Sequence, residues 1–333
     1  MRTRTLGRSG VEVSALGFGT AGIGGLYTPV TGDEARAAVD AAWDAGIRYY
    51  DTAPHYAIGH AERRVGAALA DRPRDAYTLS TKAGRRLMAG PARPGDRDDS
   101  AHGFAVPATH HRVWDFTADG IRRSLHESLE RLGLDRVDVL LLHDPDDHGE
   151  QAFTEAYPAA ERLRAEGVVR AIGAGMNQTA MLTRFVRDTD VDMVLCAGRY
   201  TLLDQSALTG LLPEAERRGA AVVAGGVFNS GLLADPRPGA TYDYTTAPPG
   251  LLERALAVKA AAERHGTTLR AAALALPLAH PAVAAVLVGA RSAAEVRDCA
   301  ALAAEPVPDA LWQELRATGL LAPDVPVPEG GSA

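Results

Sequence analysis

Four polar residues stand at places in the sequence where proton transfer could be arranged. Asp51 ends the apolar run GIRYYD, and Tyr56 follows it in the stretch DTAPHYAIGHAE. Lys82 closes the run YTLSTK, and His143 closes VDVLLLH. Burying an unpaired ammonium is costly, so Lys82 should pair with Asp51. Its charge should then lower the pKa of Tyr56 from about 10, making the phenol a proton donor or acceptor.

A structural explanation competes with this chemistry. Taken singly, a strand-end aspartate more often caps a loop, and a strand-end lysine is more often an ordinary charge. His143 opens the segment HDPDDH, so it could instead bind a metal ion with Asp144 or Asp146. No H-x-H pair accompanies it, which makes a metal hydrolase the weaker interpretation. No metal is expected.

The rest of the chain alternates short apolar runs with longer helix-period stretches. The runs predict eight strands, over Val13–Gly19, Ile47–Asp51, Tyr77–Lys82, Val137–His143, Val168–Ala174, Met193–Ala197, Ala221–Gly225 and Ala285–Gly289. The stretches between them predict helices over Asp33–Ala45, His60–Ala70, Thr117–Leu132, Gln151–Glu166, Thr179–Arg187, Leu203–Arg218, Leu251–His265, Thr268–His280 and Ala293–Ala303. This alternation favours an α/β fold, a closed (β/α)8 TIM barrel, over a doubly wound sheet. In such a barrel the four polar residues converge on one mouth.

One segment interrupts this rhythm. The stretch 86–115 is rich in proline, glycine and charge, and its length predicts either a lid loop over the mouth after the third strand or a disordered loop. Trp114, near its end, either anchors that lid or forms a platform for a sugar. His55 is a candidate substrate contact beside Tyr56. We expect residues 1–322 to form a single domain and 323–333 a Pro/Gly-rich tail that is mobile unless it folds over the barrel mouth.

Composition excludes several classes of function. The chain has 35 Lys and Arg against 42 Asp and Glu, a net charge of −7, so nucleic acid is not an expected partner. No apolar run approaches the roughly 18 residues of a membrane span, and no signal peptide is evident. A cytoplasmic protein with reduced cysteines is expected. Nothing in the sequence indicates an oligomeric state.

Several stretches together resemble the aldo-keto reductase superfamily. FGTAGIGG, GIRYYDTAPHY, LSTKAGR, SLERLGLDRVDVLLLHDPD and AIGAGMN occur in that family's order over nearly the whole chain. The resemblance implies a catalytic tetrad of Asp51, Tyr56, Lys82 and His143. In it the tyrosine is the general acid/base, the lysine tunes it, the aspartate holds the lysine and the histidine orients the substrate oxygen.

Two further stretches, AGRYTLLDQ and GGVFNSGLLA, are similar to one branch of that family. The branch contains L-fucose and D-threo-aldose 1-dehydrogenases, pyridoxal 4-dehydrogenases and L-galactose dehydrogenases. It oxidises cyclic hemiacetals to lactones, so a small-molecule substrate, a sugar or an aldehyde, is implied. Three alternatives stay open: an NADPH-dependent aldehyde or ketone reductase, a pyridoxal 4-dehydrogenase, and a cofactor-binding regulatory subunit with little turnover.

The resemblance also implies a nicotinamide dinucleotide, NAD or NADP. Its expected contacts are Gly19, Thr20, Asp51, Asn177, Phe228, Ser230, Gly231, Leu232, Gly289, Arg291, Ser292, Glu295 and Asp298. Ala197 replaces a glutamine, and Gly225 a ring-stacking tyrosine, that the family often carries. Glu295 stands where NADP-preferring members have an arginine, and a carboxylate repels a 2′-phosphate. The sequence therefore favours NAD, although the nearby Arg291 could reverse that preference.

Overall fold

Eight parallel strands close into a barrel in the computed structural model, which describes residues 1–329. The strands are β1 (Leu16–Gly19), β2 (Tyr49–Asp51), β3 (Thr78–Ala83), β4 (Val139–His143), β5 (Ala171–Met176), β6 (Met193–Ala197), β7 (Ala221–Gly225) and β8 (Val283–Gly289). The last strand pairs in parallel with the first, so the barrel has no open edge. The predicted TIM barrel is therefore confirmed.

Ten helices of eight or more residues are found among the described residues, most of them around the barrel. They are α1 (Gly32–Asp44), α2 (His60–Leu69), α3 (Ala118–Leu132), α4 (Tyr157–Ala165), α5 (Thr179–Asp188), α6 (Leu211–Arg218), α7 (Pro249–Arg264), α8 (Leu269–Leu278), α9 (Ala293–Ala304) and α10 (Asp309–Ala317). Thr117 and Ser292 cap α3 and α9 by accepting a hydrogen bond from a first-turn amide, as their types predict. The sequence did not predict α10.

Two helices begin well after their predicted first residue, whereas the bounds of the others differ by two residues or fewer. The helix expected from Leu203 begins only at Leu211, because the Thr201 hydroxyl accepts bonds from the amides of Leu203 and Asp204 at 3.1 Å and holds a turn there. Ahead of α4, a π-helical turn spans Ala152–Ala156. Pro158 has no N–H to continue the normal ladder, which accounts for the wider turn.

The bottom of the barrel is closed by an N-terminal hairpin of Thr3–Thr5 and Glu12–Ser14. The predicted first strand from Val13 to Gly19 is thus two elements, and only its second half belongs to the barrel. Leu6, Val11 and Val13 are buried against inward-facing side chains of the barrel strands. With this end plugged, the carboxyl ends of the strands form the open mouth, where barrel enzymes carry their sites.

The predicted lid has a defined structure. Arg85–Ala89 and His110–Trp114 form an antiparallel hairpin, and the loop between them is tied back by two hydrogen bonds of 2.6 Å from Arg112 to the buried Asp99. A second small hairpin, Thr241–Tyr242 with Thr245–Thr246, follows β7 and was not predicted.

The segment around Val325, near the C-terminus, also packs against the barrel's outer layer. Val325 is buried with Trp312 and Leu321, so part of the predicted mobile tail is fixed. Residues 330–333 of that tail lie outside the described residues. Within residues 1–329, no helix is long and apolar enough to cross a membrane.

Candidate active site

The four predicted catalytic residues meet at the mouth of the barrel. Lys82 Nζ lies 2.5 Å from Asp51 Oδ2, and both side chains are almost fully buried. The ammonium also donates to the Thr52 carbonyl at 3.0 Å, while the Ser80 hydroxyl donates to Asp51 Oδ1 at 2.7 Å. The expected ion pair is thus present and its remaining hydrogen-bonding groups are satisfied, as a buried pair requires.

Tyr56 lies directly against this pair. Lys82 Nζ is 4.7 Å from the centre of its ring, and the His143 ring centre is 5.8 Å away. Burial raises the pKa of Tyr56 to about 12, and the Lys82 ammonium offsets only part of that rise. The expectation of a pKa below 10 is therefore wrong for this site, because burial disfavours the phenolate more than the neighbouring cation stabilises it.

Lys82 and His143 each keep a single charge state at neutral pH. Burial opposes the ammonium, but the Asp51 carboxylate and Tyr56 outweigh it and raise the pKa of Lys82. Burial, followed by the positive charges of Arg85 and Lys82, lowers the pKa of His143 well below its usual 6.5. His143 is therefore a neutral imidazole at neutral pH, and its Nδ1 finds no hydrogen-bond partner among residues 1–329. A neutral ring can still donate one hydrogen bond to a substrate oxygen.

The loop that carries Tyr56 is held in an unusual backbone conformation. Residues 57–59 have φ angles of 52°, 47° and 83°, and two of them are not glycine. Such strain persists only where the surroundings impose it. Glu62 is fully buried and bonds Arg131 Nε at 2.5 Å and the Thr81 hydroxyl at 2.8 Å. It ties the start of α2 to β3 and α3, which fixes Tyr56 over the strand ends.

A long cleft of about 790 Å³ leads away from Tyr56 across the mouth. Most of the predicted cofactor contacts line it: Gly19, Asp51, Asn177, Phe228, Ser230, Gly231, Gly289, Arg291, Glu295 and Asp298. Three do not. Thr20 and Leu232 are completely buried, and Ser292 serves as the cap of α9.

The end of the cleft beside Tyr56 fits a flat apolar ring such as nicotinamide. At Gly225 a Cβ would come within 3.2 Å of Leu195 and 3.8 Å of Ala197, so the bare glycine leaves room that a side chain would fill. Asn177 donates to the Ala197 carbonyl at 3.0 Å, which leaves its own amide oxygen for a carboxamide. The buried Asn229 amide oxygen has no partner within the described chain. These features suit a nicotinamide dinucleotide.

The far end of the cleft carries two arginines, each paired with an acid on α9. Arg291 donates to Glu295 from its amide at 2.8 Å and from its guanidinium at 2.7 Å, and Arg270 pairs with Asp298. Arg270, on α8, was missed because a helical arginine carries no local signal of a cleft. Two cations near the first turn of a helix suit phosphate groups.

Two loop tyrosines that sequence reasoning also missed stand at the cleft. Tyr27 follows β1, and Tyr244 lies in the hairpin after β7; both have positive φ angles and exposed rings. The Tyr244 amide donates to the Ser230 hydroxyl at 3.2 Å, and the neighbouring Asp243 takes two bonds from Arg199 at 2.9 and 2.8 Å. The second hairpin is thereby fastened along the cleft.

The three predicted substrate contacts, His143, His55 and Trp114, have different positions, and none of them lines the cleft. His55 lies with its ring centre 5.5 Å from that of His143 and 6.1 Å from that of Tyr56. Trp114 is 45% exposed and does not line the cleft. Its ring stacks on Phe116 and lies 4.3 Å from the Arg85 guanidinium. Of the two roles predicted for Trp114, the lid anchor is the one that this geometry fits.

The described part of the chain holds no group of three or more His, Cys, Asp or Glu side chains placed to bind a metal ion. The histidines near Tyr56 instead contact one another and the arginines of the lid hairpin. His55 Nδ1, for example, lies 3.3 Å from Arg85.

Comparison with known proteins gives consistent matches. Residues 15–319 match the model of the Aldo/keto reductase family. A D-threo-aldose 1-dehydrogenase from Pseudomonas sp is 46% identical, over 94% of this chain and 96% of the relative. A pyridoxal 4-dehydrogenase from Microbacterium luteolum is 39% identical, over 96% and 98%. Among solved structures, the holo form of an aldo-keto reductase from Bacillus halodurans superposes with a TM-score of 0.76 at 27% identity, over 98% of both chains.

Proposed function

Since the chain belongs to the aldo/keto reductase family and is an NAD(P)-dependent oxidoreductase, we propose that it oxidises the anomeric carbon of an aldose, or of a similar cyclic hemiacetal, to a lactone. The observation that carries this proposal is the position of Tyr56, between the Lys82–Asp51 pair and a neutral His143, at the inner end of the cleft. The 46% identity to a D-threo-aldose 1-dehydrogenase supports the choice of substrate class.

Each residue of this group has a separate role in the proposed reaction. Tyr56 takes the proton of the anomeric hydroxyl as the general base. Lys82 stabilises the phenolate that this requires, and Asp51 keeps the lysine charged and in place. His143 donates a hydrogen bond to the reacting oxygen. In the reverse direction the same tyrosine returns the proton to a carbonyl oxygen.

A nicotinamide dinucleotide, when bound in the cleft, would supply the acceptor for the hydride that leaves the anomeric carbon. The carbon then holds a carbonyl in place of its hydroxyl, the hydroxyl proton lies on Tyr56, and solvent finally receives it. Gly225, Leu195 and Asn177 are the residues that would hold the nicotinamide end. The apolar surfaces of Gly225 and Leu195 would exclude water from the transfer.

NAD is the cofactor that the far end of the cleft favours. This preference is supported by the Glu295 carboxylate, which would repel a 2′-phosphate bound beside it. Arg291, which could neutralise such a phosphate, is already paired with Glu295. Burial opposes this charge, but the bonds from Arg291 hold the pKa of Glu295 below its usual value. A carboxylate can accept bonds from the free hydroxyls of an NAD ribose.

Pyridoxal oxidation is a second candidate, because the pyridoxal 4-dehydrogenase relative spans nearly the whole chain. Pyridoxal forms a cyclic hemiacetal, so the same proton and hydride transfers apply to it. A spectrophotometric screen over aldoses, pyridoxal and simple aldehydes, with NAD and NADP in parallel, distinguishes these substrates. The proposal predicts the highest kcat/KM for an aldose with NAD.

The role of Tyr56 is tested with Tyr56→Phe. Loss of a general acid/base typically costs about 100- to 10,000-fold in rate, and NAD binding, followed by fluorescence, should persist. Tyr77→Phe is the matched control, since the Tyr77 hydroxyl has no hydrogen-bond partner in residues 1–329 and lies near the start of β3. Substantial activity of Tyr56→Phe on every accepted substrate would refute the mechanism. Cofactor binding by the unmodified protein without any turnover would instead favour a regulatory role.

A further inference from the structure

An arginine and an aspartate form a charged pair beside the catalytic group, and the proposed mechanism does not use them. Arg85 begins the lid hairpin three residues after Lys82, and Asp144 directly follows His143. The guanidinium bonds one carboxylate oxygen, Asp144 Oδ2. The same guanidinium lies 3.3 Å from His55 Nδ1 and 4.3 Å from the centre of the Trp114 ring. The pair is therefore oriented from three sides.

The Arg85–Asp144 contact leaves hydrogen-bonding capacity free. Arg112, on the opposite strand of the hairpin, uses both terminal nitrogens on both oxygens of Asp99 and also donates to the His55 carbonyl. Arg85 reaches its aspartate through one nitrogen and one oxygen only. Its Nε, like that of Arg112, is buried without a hydrogen-bond partner in the part of the chain that the structure describes, so the contrast between the two arginines lies in their terminal nitrogens. Unpaired polar groups in a pocket gain most from a ligand that bonds them.

The backbone also points to a function for Asp144. This residue has a φ of +43°, a conformation that a residue other than glycine adopts at a cost. Its amide is held by the Gly175 carbonyl at 3.0 Å, which places the carboxylate beside His143, with Oδ2 3.8 Å from His143 Nε2. The carboxylate is 29% exposed and the guanidinium 15%, so a ligand can reach the former.

These groups match the chemistry of a diol. A hydroxyl donates one hydrogen bond and accepts others, so two neighbouring hydroxyls can give a bond to a carboxylate and take one from a guanidinium. We propose that Arg85 and Asp144 form a subsite for two neighbouring hydroxyl groups of the substrate, selecting polyhydroxylated hemiacetals and aldehydes over those without hydroxyls. This inference rests on the proposed function in that it places the reacting carbon at Tyr56.

The selection has a physical basis in what happens to the pair when a substrate lacks hydroxyls. Binding excludes water from the site, and a substrate without hydroxyls leaves the hydrogen-bonding groups that the Arg85–Asp144 contact does not use without partners. Sites built to bond a hydroxyl reject analogues that lack it far more strongly than apolar pockets reject a change in size. The expected discrimination is therefore large and depends on both members of the pair.

The test compares two aldehydes, reduced with NADH by the full-length protein. Glyceraldehyde carries hydroxyls on the two successive carbons that follow its carbonyl, and propanal carries none. We expect Arg85→Lys to lower the ratio of their kcat/KM values by about 10- to 100-fold, because lysine keeps the charge but loses the planar fork. Asp144→Asn should lower the same ratio. Using a ratio removes any general effect of either variant on folding or on the hydride step.

Arg86→Lys is the matched control. Arg86 is the next residue of the same hairpin strand and is equally little exposed, but it pairs with Glu127 and Asp115 instead. Its substitution should leave the ratio unchanged. The ratio for an aldose over its singly deoxygenated analogues gives the same comparison in the oxidation direction.

The outcomes separate the subsite from the proposed function. If the wild-type protein oxidises aldoses but Arg85→Lys keeps the wild-type ratios, the subsite is wrong and the proposed function stands. If it oxidises no aldose but prefers glyceraldehyde in a way that Arg85→Lys abolishes, the proposed function is wrong and the subsite stands. A wild-type protein that treats hydroxylated and plain substrates alike overturns the subsite.

Discussion

The mouth of the barrel has two parts that are built in different ways. The proposed catalytic group of Asp51, Tyr56, Lys82 and His143 lies at or just beyond the ends of three adjacent strands, where the hydrogen-bond register of the barrel sets its spacing. The surrounding wall consists of two hairpins held by arginine–carboxylate pairs between segments that are distant in the sequence. We infer that the barrel strands position the residues of the proposed reaction, whereas the hairpins determine which substrates bind.

The ion pair of the catalytic group is less exposed to solvent than the ion pair that holds the second hairpin. The Lys82 and Asp51 side chains are 2% and 3% exposed, whereas Arg199 and Asp243, the pair that holds the second hairpin, are 22% and 39% exposed. Charges deep in the protein interact more strongly and are more costly to leave unpaired, while exposed pairs contribute little. Substitutions should therefore have effects that diminish from the strand ends outwards.

The largest effect is expected from Lys82→Met. Removing the ammonium leaves the Asp51 carboxylate buried without its partner, which typically costs about 3–5 kcal/mol. The free energy of unfolding should fall by that order, measured by chemical denaturation. Activity should also be lost, since no cation remains to stabilise a Tyr56 phenolate.

The double variant Lys82→Met, Asp51→Asn separates these two consequences. It has no unpaired charge, so much of the lost stability should return while activity stays absent. Recovery of activity in the double variant would contradict the role given to Lys82. A single variant as stable as the wild type would contradict the burial argument.

The next effect concerns pH. In oxidation Tyr56 must accept a proton, so its active form is the phenolate, and with a pKa of about 12 this form becomes about tenfold more abundant per pH unit in the neutral range. At saturating NAD, kcat/KM for the aldose should therefore rise by up to about 100-fold from pH 6 to pH 8. Carbonyl reduction needs the protonated phenol and should stay nearly constant over this interval.

His143 allows a second prediction about the pH dependence of kcat/KM. His143 has a pKa well below 6.5 because burial and two nearby cations oppose its charge, so it stays neutral as the pH falls through 6.5. No inflection is expected there. A break near pH 6.5, or oxidation that slows above it, would assign the proton transfer to a histidine instead of Tyr56.

These two parts also differ in how far the sequence could predict them. The strands and the catalytic group follow from local patterns, since each polar residue closes or follows an apolar run of its own. The Arg85–Asp144 pair has no such pattern, because its members become neighbours only when β3 and β4 pair. The pKa of Tyr56 was predicted in the wrong direction for a related reason: it depends on how completely distant segments bury the ring.

A moderate effect is expected in the wall from Arg112→Gln. It breaks the little-exposed pair with Asp99 that ties the lid loop back, and it removes the bond to the His55 carbonyl. The loss should be local: limited proteolysis should cut the stretch 90–109 faster, with little change in the unfolding midpoint of the barrel. The value of kcat/KM should fall by about tenfold, the order of one hydrogen bond to a charged group.

Arg97→Gln is its control, since that side chain lies on the exposed surface of the same loop. It should leave both proteolysis and activity unchanged. If Arg112→Gln instead lowered the midpoint of the whole barrel as strongly as Lys82→Met, the contrast between a rigid catalytic centre and a separately tied wall would be wrong.

Glu295→Gln should have the smallest effect on stability. It should nevertheless change the preference between NAD and NADP. The pair with Arg291 is an exposed i,i+4 contact, so its loss should cost less than about 0.5 kcal/mol. The substitution removes the charge that opposes a 2′-phosphate and frees the Arg291 guanidinium to bind it. The ratio of kcat/KM for NADP over NAD should rise by about tenfold.

Glu263→Gln provides the comparison for this last variant. Glu263 forms an i,i+4 pair with Lys259 on α7, outside the cleft, so the same change is made in a similar setting without a cofactor beside it. The two variants should be equally stable, and only Glu295→Gln should change the cofactor ratio. If neither variant changes the ratio, NAD is selected by other residues of the cleft, and Arg270, which pairs with Asp298 at the same end of the cleft, becomes the residue to vary.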